Sequence, residues 1–320
     1  GASKKEKGVY MKTKYLSHKL TEKIEINREQ AAEILSDLKR YTAAFPNLHK
    51  DDTLSLLKEK SISLYNHVFM AEDFEMALET EETLFFLQKM VKQLEIPSIN
   101  RSFQEILQET AEILSRGKQK NENPTAYILG GQPGAGKSGM VRRISLELAG
   151  NVISINGDDF RKDHPKYFEL LEKYGEDYVS HTASFSGKMV RELIDFAAEN
   201  RYHTIIEGTL RGKEVPLNTS KLFHKQGYRT VLQVLCVEPE LSYQATLSRY
   251  AEMKRRGMVA RMTAKSHHDK VVSAILENVS QIYLSKEFDE IEIFRRNGET
   301  IYSYQETPEV NPAEIMKAYF

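Results

Sequence analysis

A glycine-rich segment in the middle of the chain has residue types and a spacing suited to binding phosphate. Gly131 is followed by four residues and then by a Gly-Lys-Ser triplet at 136–138. Glycines let the backbone turn so that successive N–H groups face an anion at the start of a helix. In such a loop Lys137 reaches the β- and γ-phosphates and the Ser138 hydroxyl ligates Mg²⁺. The pattern predicts that Mg²⁺ and a nucleoside triphosphate, ATP or GTP, bind at Gly131, Gln132, Pro133, Gly134, Ala135, Gly136, Lys137 and Ser138.

Acidic residues follow two later apolar runs and offer carboxylates for proton transfer. Asp158 and Asp159 close one run, and Glu207 closes the next. Ligands of open α/β sheets bind at the carboxyl ends of strands, so acids at these places can act on a substrate. Transfer of a phosphoryl group to a hydroxyl needs a carboxylate that accepts its proton. Either aspartate is a candidate, although Asp159 could instead belong to a turn or cap a helix. Glu207 either reaches Mg²⁺ or a substrate hydroxyl, or ends its strand in solvent.

Arginines downstream could stabilise the transferred phosphate. Arg249 falls on a predicted helix, and Arg261 follows the basic run 254–256. The planar guanidinium suits the charge that spreads over a phosphoryl group, and arginine-rich lids close over phosphates in small kinases. The alternative for each arginine is a solvated surface position. The neighbouring residues 267–269 (His-His-Asp) lack further metal ligands at suitable spacing, so we expect a cap at the start of a helix.

Strands and helices alternate after residue 124, which predicts an α/β domain. Apolar, β-branched strands separated by helices are typical of a mostly parallel sheet with helices on both faces. The predicted strands are residues 126–129, 152–155, 203–206, 230–237 and 291–295, with helices at 186–199 and 241–254 among those between them.

Before residue 117 the pattern is helical throughout. Asn27 and Gln30 resemble a capping box, and apolar residues at helical spacing indicate four helices, the last carrying Phe103 and Leu114. Residues 117–124 are polar and contain glycine and proline, which is typical of a linker or a surface loop. We therefore predict an all-α bundle in residues 1–120 and a P-loop α/β domain in residues 121–320.

Composition restricts the class of partner. Lys and Arg number 45 against 46 Asp and Glu, so no overall charge favours nucleic acid or a membrane surface. The longest apolar runs are too short to cross a bilayer. One cysteine, Cys236, excludes an internal disulfide and suits a reducing cytoplasm.

An ordered series of motifs over residues 127–304 resembles the zeta toxin family, the kinase halves of bacterial toxin–antitoxin pairs. The phosphate loop alone would be generic, whereas the series is specific. It comprises residues 130–138, 157–161, 164–167, 185–189, 206–211, 215–219, 239–243, 249–250 and 260–269. The resemblance implies a P-loop kinase that phosphorylates the 3′-hydroxyl of the amino sugar of UDP-N-acetylglucosamine and thereby blocks cell-wall synthesis.

The resemblance also assigns roles to individual residues. It makes Asp158 the catalytic base, with Lys137, Arg249 and Arg261 on the transferred phosphate. The substrate-binding residues that it implies are Glu207, Thr209, Arg211, Thr219 and Glu192. One position departs from the family pattern, because Arg191 stands where the family usually has an acid that contacts the sugar. Either the register slips by one residue to Glu192, or the acceptor pocket differs.

The N-terminal region resembles, through residues 62–68 and 84–89, the three-helix epsilon-type antitoxin that accompanies zeta toxins. This implies an intramolecular inhibitor, present at an effective concentration on the order of mM because it is tethered. The alternative is a helical domain that supports the kinase or forms a homodimer.

Two other functions of the chain as a whole remain open. One is phosphorylation of another hydroxyl acceptor, such as a different nucleotide sugar, an antibiotic or a polynucleotide 5′ end; the other is a non-catalytic, nucleotide-gated binding module.

Overall fold

The computed structural model describes residues 26–44, 101–255 and 259–320, and the single residues 64, 67, 76, 80 and 83. The first helix, α1, spans Arg28–Ala44. It begins with the predicted capping box, since the Gln30 N–H donates to Asn27 Oδ1 at 2.8 Å and the Asn27 N–H donates to Gln30 Oε1 at 3.0 Å. Leu35 and Leu38 are buried on one face of α1. Most of the second and third predicted helices, with the antitoxin-like segments, lies outside the described residues.

A six-stranded sheet forms the centre of the C-terminal region. Its strands are β1 (Thr125–Gly130), β2 (Ile153–Ile155), β3 (Thr204–Glu207), β4 (Arg229–Leu235), β5 (Glu290–Phe294) and β6 (Thr300–Ser303). They lie in the order β2-β3-β1-β4-β5-β6. The pairs among the first five are parallel, and β6 is antiparallel to β5. The predicted mostly parallel fold is confirmed, while β6 was not predicted and β4 ends before the predicted residue 237.

Helices cover both faces of this sheet. They are α2 (Phe103–Ser115), α3 (Lys137–Glu147), α4 (Tyr167–Tyr174), α5 (Tyr178–Glu199), α6 (Glu214–Lys225), α7 (Pro239–Arg255), α8 (Lys265–Ser285) and α9 (Pro312–Met316). Met140 and Ile144 of α3 pack with Leu129 on one face. On the other face Met189 of α5 and Ile275 of α8 belong to two further apolar clusters. The carboxyl ends of β1 to β4 therefore meet at one edge of a sheet that is buried on both sides.

Helix α2 packs with this sheet. Ile106 and Ala111 of α2 are buried in the same apolar cluster as Ile153 of β2 and Met189 of α5. Apolar periodicity predicted that α2 has a buried face, but periodicity does not identify the partner of that face. The division of the chain at residue 120 stays a prediction, and the packing of α2 favours a boundary before residue 101.

The polar segment 117–124 is a loop, as expected, and it is bound to the α/β unit along its length. Lys118 Nζ donates to the carbonyl oxygen of Gly150 at 2.6 Å. The Arg201 guanidinium donates to the carbonyl oxygens of Asn121 and Glu122 at 3.2 and 2.6 Å. These hydrogen bonds attach the loop after α2 to the turns that precede β2 and β3.

Candidate active site

The glycine-rich loop joins β1 to α3 and has the conformation that its glycines allow. Gly134 and Gly136 have φ angles of 82° and 102°, in the region that favours glycine. Gly136 immediately precedes α3, so the loop ends at a helix N-terminus, where an anion is favoured. Lys137 Nζ donates to the carbonyl oxygen of Gly131 at 2.6 Å. Burial lowers the pKa of Lys137 to about 8, although the charge of Glu207 opposes the shift.

Helix α7 packs directly against this loop. A Cβ atom built on Gly134 would lie 1.9 Å from the carbonyl oxygen of Ser242 and 2.9 Å from Thr246 Cγ2, both on α7. Because the nearest atom belongs to the backbone, a side-chain rotation cannot relieve the clash. The absence of a side chain at Gly134 is therefore what allows α7 to lie against the phosphate loop.

Replacement of Gly134 by alanine should lower the free energy of unfolding by roughly 2–4 kcal/mol, because the clash adds to the strain of a positive φ. Nucleotide affinity should fall with it, since the loop must move. Gly139→Ala is the matched control for stability, because a Cβ there meets nothing within 4 Å. Chemical denaturation and nucleotide titration measure both effects. Equal stability of the two variants would contradict the packing described above.

Asp158 lies just after β2, on a 3₁₀ helix that spans Gly157–Asp163. Asn156 caps this helix by accepting the Asp158 N–H at 3.1 Å, so Asp159 is not the cap and lies in the first turn of the helix. The Asp158 carboxylate accepts a hydrogen bond from Arg161 Nε at 3.0 Å. It also accepts one from Arg261 Nη2 at 2.5 Å, which joins this helix to the segment between α7 and α8.

These contacts keep Asp158 ionised. Burial alone would raise its pKa, but the charge and hydrogen bond of Arg261, with those of Arg161, outweigh burial and hold the pKa below its usual value. The Asp158 side chain is still 47% exposed, so a substrate can reach it. Arg161 is itself fixed on α5, where Nη1 donates to Val179 O at 2.8 Å and Thr182 Oγ1 at 2.9 Å.

A cleft of about 1650 Å³ collects most of the candidate residues. Its wall includes Pro133, Gly134, Gly136, Lys137, Ser138, Asp158, Asp159, Glu207, Thr209, Arg211, Arg249 and Arg261. Gly131, Gln132 and Ala135 are buried within the phosphate loop. Thr219 and Glu192 are not part of the lining of this cleft, and each is half-buried on its helix, α6 or α5.

The turn after β3 positions Thr209 and Arg211 on the cleft wall. Leu210 between them has a φ angle of 60°, which is unusual for a residue with a side chain. Its side chain occupies the space above Gly130, where a Cβ would lie 2.3 Å from Leu210 Cδ1. Asn278 Nδ2 also donates to the Leu210 carbonyl oxygen at 2.7 Å. Packing and a hydrogen bond thus hold this turn in its strained conformation.

The segment 259–264, which we call the lid, carries Arg261 between α7 and α8. Helix α8 begins at Lys265 after Ala264, and no side chain caps it, so the predicted cap at residues 267–269 is wrong. His267 lines the cleft, whereas His268 is buried. Among the residues that the structure describes, no group of three or more His, Cys, Asp or Glu side chains could hold a metal ion.

Arg161 and Arg296 also line the cleft and were not among the predicted site residues. Arg161 follows Asp158 by three residues, and this spacing in a helical turn could have indicated a pair. Arg296 comes from the turn between β5 and β6, and its Nη1 donates to the carbonyl oxygen of Gly134 at 2.9 Å. No local pattern in the sequence places this turn beside the phosphate loop, because the approach depends on the strand order.

Comparison with known proteins identifies the family. A sequence model of the zeta toxin family matches residues 110–307, from within α2 to beyond β6. The chain belongs to the zeta toxin family. It is 40% identical to toxin PezT of Streptococcus pneumoniae over 205 residues, which cover 64% of this chain and 81% of PezT. It is 36% identical to toxin zeta of Streptococcus pyogenes over 219 residues, which cover 68% of this chain and 76% of that toxin.

A solved structure of the zeta toxin family agrees with this assignment. A chain from the PezAT chromosomal toxin–antitoxin system of Streptococcus pneumoniae superposes with a TM-score of 0.63 and 33% identity, covering 70% of this chain and 90% of that chain. Zeta toxins are kinase-like phosphotransferases that use a nucleotide, and this class of activity applies to the present chain. None of the helices in the described part of this zeta toxin is long and apolar enough to span a bilayer.

Proposed function

We propose that this zeta toxin transfers the γ-phosphate of ATP or GTP to the 3′-hydroxyl of the amino sugar of UDP-N-acetylglucosamine and so blocks cell-wall synthesis. The observation that carries the proposal is the ion pair between Asp158 and Arg261, at 2.5 Å, in the cleft that also contains Lys137. The pair holds an ionised carboxylate beside a cation suited to the transferred phosphate. A hydroxyl bound between this pair and the phosphate loop would be placed for direct transfer.

In the proposed reaction Asp158 removes the proton of the sugar hydroxyl as its oxygen forms a bond to the γ-phosphorus. The bond between that phosphorus and the bridging oxygen of the β-phosphate breaks, and the nucleoside diphosphate leaves with the electron pair. Lys137, Arg249 and Arg261 balance the negative charge of the phosphates during transfer. The Arg261 guanidinium can contact Asp158 and the transferred phosphate at the same time. Its Nη2 donates to Asp158, and a guanidinium has further N–H groups that can donate to the phosphate.

The side-chain oxygen atoms around the phosphate loop are suitable ligands for Mg²⁺. Ser138 lies in the first turn of α3 and is exposed to the cleft, which Asp158 and Glu207 also line. Mg²⁺ prefers oxygen ligands and commonly takes one or two from the protein and the rest from phosphate and water. Ser138 would hold the ion directly and Glu207 through water. When bound, the ion would neutralise charge on the β- and γ-phosphates.

Transfer from radiolabelled ATP or GTP to UDP-N-acetylglucosamine, with mass analysis of the product, tests the proposed acceptor. UDP-glucose, UDP-N-acetylgalactosamine, an aminoglycoside and a 5′-hydroxyl oligonucleotide serve as competing acceptors. The exposed Arg191 on α5, where the resemblance leads us to expect an acid, makes this panel necessary. Faster transfer to another acceptor would replace the proposed substrate. Nucleotide binding without transfer to any of them would favour a binding module.

The pKa of Lys137 leads to a prediction about pH. Because this pKa is about 8, nucleotide affinity should fall as the pH rises through 8, where the ammonium group loses the charge that attracts the phosphates. The affinity should be highest at lower pH, where Lys137 is protonated. Titration with a fluorescent ATP analogue from pH 6 to pH 10 measures the effect. Lys137→Arg is the control, since arginine keeps its charge and should flatten the profile. A profile that is flat in the parent would exclude Lys137 as the titrating group.

We further propose that the N-terminal helical region restrains the kinase, as an antitoxin would. The similar PezT chain comes from a toxin–antitoxin system, which makes an antitoxin a reasonable partner for this one. Within the chain, the described residues of this region are helical and several of them are buried. These include Ala31, Leu35 and Leu38 of α1 and the helical residues Leu64 and Met76. We propose as well that this region can form a homodimer and that the protein is located in the cytoplasm.

A further inference from the structure

A buried series of hydrogen bonds joins the phosphate loop to the start of α8. Gln132 in the loop is fully buried, and its Nε2 donates to the Val237 carbonyl oxygen at 2.8 Å and to Ser242 Oγ at 3.2 Å. Ser242 lies in the first turns of α7, and its Oγ is 2.7 Å from His268 Nε2. His268 lies in the first turns of α8 and is 1% exposed. Three separate elements therefore meet at the Ser242 hydroxyl.

The series continues from His268 to the surface. His268 Nδ1 is 3.0 Å from Asp269 Oδ1, and Asp269 Oδ2 accepts a hydrogen bond from Lys265 Nζ at 2.5 Å. Because an ionised carboxylate only accepts, Nδ1 carries a hydrogen. If the imidazole is neutral, Nε2 accepts the Ser242 hydroxyl hydrogen. If it is protonated, Nε2 donates to Ser242 Oγ, and that hydroxyl donates to Pro239 O at 2.9 Å instead. The contact with Ser242 exists in both states.

Ser242, His268 and Asp269 are hydrogen-bonded in series, as the serine, histidine and aspartate of a hydrolase triad are. Their burial excludes that role. Ser242 is 0% exposed, so no carbonyl substrate can reach its hydroxyl. A buried hydrogen-bonded network instead fixes the relative positions of the elements that it joins, and here only Gln132 Oε1 is buried without a hydrogen-bond partner among its three buried side chains. Here these elements are the phosphate loop, α7 with Arg249, and α8, which begins four residues after Arg261.

We propose that His268 is a positioning residue for phosphoryl transfer. Its imidazole ties the first turn of α8, and with it the lid and Arg261, to the phosphate loop through Ser242 and Gln132. The inference rests on the proposed role of Arg261 at the transferred phosphate. His268 does not line the cleft, so it acts through the lid rather than on the nucleotide.

Two substitutions in the full-length chain test the contacts of the two ring nitrogens separately. His268→Gln places an amide near Nε2 and can keep the bond to Ser242, whereas His268→Asn places one near Nδ1 and keeps only the pair with Asp269. We expect His268→Asn to lower kcat on the order of 10²-fold, the scale of a catalytic group misplaced by about 1 Å, with the KM for ATP changed less than threefold. His268→Gln should restore most of kcat.

Hydrogen exchange of residues 259–264 gives a second readout that does not depend on the acceptor. Saturating Mg-ATP should protect the lid in the parent and in His268→Gln, but much less in His268→Asn. This pattern supports the inference even if UDP-N-acetylglucosamine proves to be the wrong acceptor. Equal protection in the parent and in His268→Asn overturns it, as does a kcat of folded His268→Asn within threefold of the parent.

Ser242→Ala provides a route if His268→Asn does not fold, because it removes the same hydrogen bond from the other side with a smaller change in volume. It should reduce lid protection to the same extent as His268→Asn. In the double variant Ser242→Ala/His268→Asn the loss should be no larger than in Ser242→Ala alone, since that variant already lacks the hydrogen bond that His268→Asn removes. Parent-like protection of the lid in Ser242→Ala, or additive losses in the double variant, overturns the inference.

Discussion

Replacement of Asp158 by alanine should lower kcat for phosphoryl transfer on the order of 10²–10⁴-fold, the usual contribution of a general base. Nucleotide affinity should change only a few-fold, because the phosphate loop and Lys137 remain. The carboxylate is already ionised, held so by Arg261 and Arg161, and therefore can accept the sugar hydroxyl proton throughout the neutral range. Single-turnover transfer and nucleotide titration separate the two quantities.

Two further variants distinguish proton acceptance from lid attachment. Asp158→Asn keeps the side-chain volume and one oxygen for Arg261 but is not basic, so it should be nearly as slow as Asp158→Ala. Asp159→Asn removes the neighbouring charge and should retain transfer within a few-fold of the parent. Activity of Asp158→Asn close to the parent would mean that this residue contributes through its contact with Arg261 and is not the base.

Removal of the N-terminal region up to residue 100 should raise kinase activity and toxicity in a bacterial host. A tethered inhibitor is present at about mM effective concentration, so an intramolecular affinity near 1 µM would keep all but roughly one chain in 10³ inhibited. We therefore expect an increase of about 10²-fold or more in transfer. Transfer assays with purified protein and growth of the host after induction measure the two effects.

The position of the cut decides whether this experiment is informative. A chain that begins at Arg101 keeps α2, whereas one that begins at Asn121 loses Ile106 and Ala111 from the apolar cluster below β2. Partly buried Phe103, Leu107 and Leu114 would be lost as well, on the order of 5 kcal/mol of burial in total. The shorter chain should unfold readily. A folded, nucleotide-binding chain from Arg101 that is no more active than the full length would contradict inhibition.

The phosphate loop and the strands around it could be predicted from sequence because their signals are local. Glycines with a lysine and a serine at fixed spacing require a particular turn. The five apolar runs predicted five strands, and the ends of each predicted strand lie within two residues of those in the structure. Asp158 and Arg261 could each be nominated in the same way. Their pairing could not, since the carboxylate and the guanidinium are 103 positions apart and meet through the strand order.

Strand β6 and the packing partner of α2 were not predicted from the sequence, for different reasons. Strand β6 follows Asn297-Gly298, a strong signal for a hairpin, and Gly298 has a φ angle of 92°. That signal was present and unused. The partner of α2, by contrast, had no local signal, because an amphipathic face fits a helical bundle as well as a sheet. His268 was missed for a related reason, since its role depends on contacts with Gln132 and Ser242 from two other elements.

Leu210 and Gly130 are linked in a way that bears on how new acceptors could evolve. Because a Cβ at position 130 would lie 2.3 Å from Leu210 Cδ1, a larger residue there requires the leucine side chain to move or to become smaller. Thr209 and Arg211, on either side, line the cleft. A mutational library aimed at a different sugar should therefore vary the two flanking positions, which face the substrate, and keep the leucine and the glycine that support the turn beneath them.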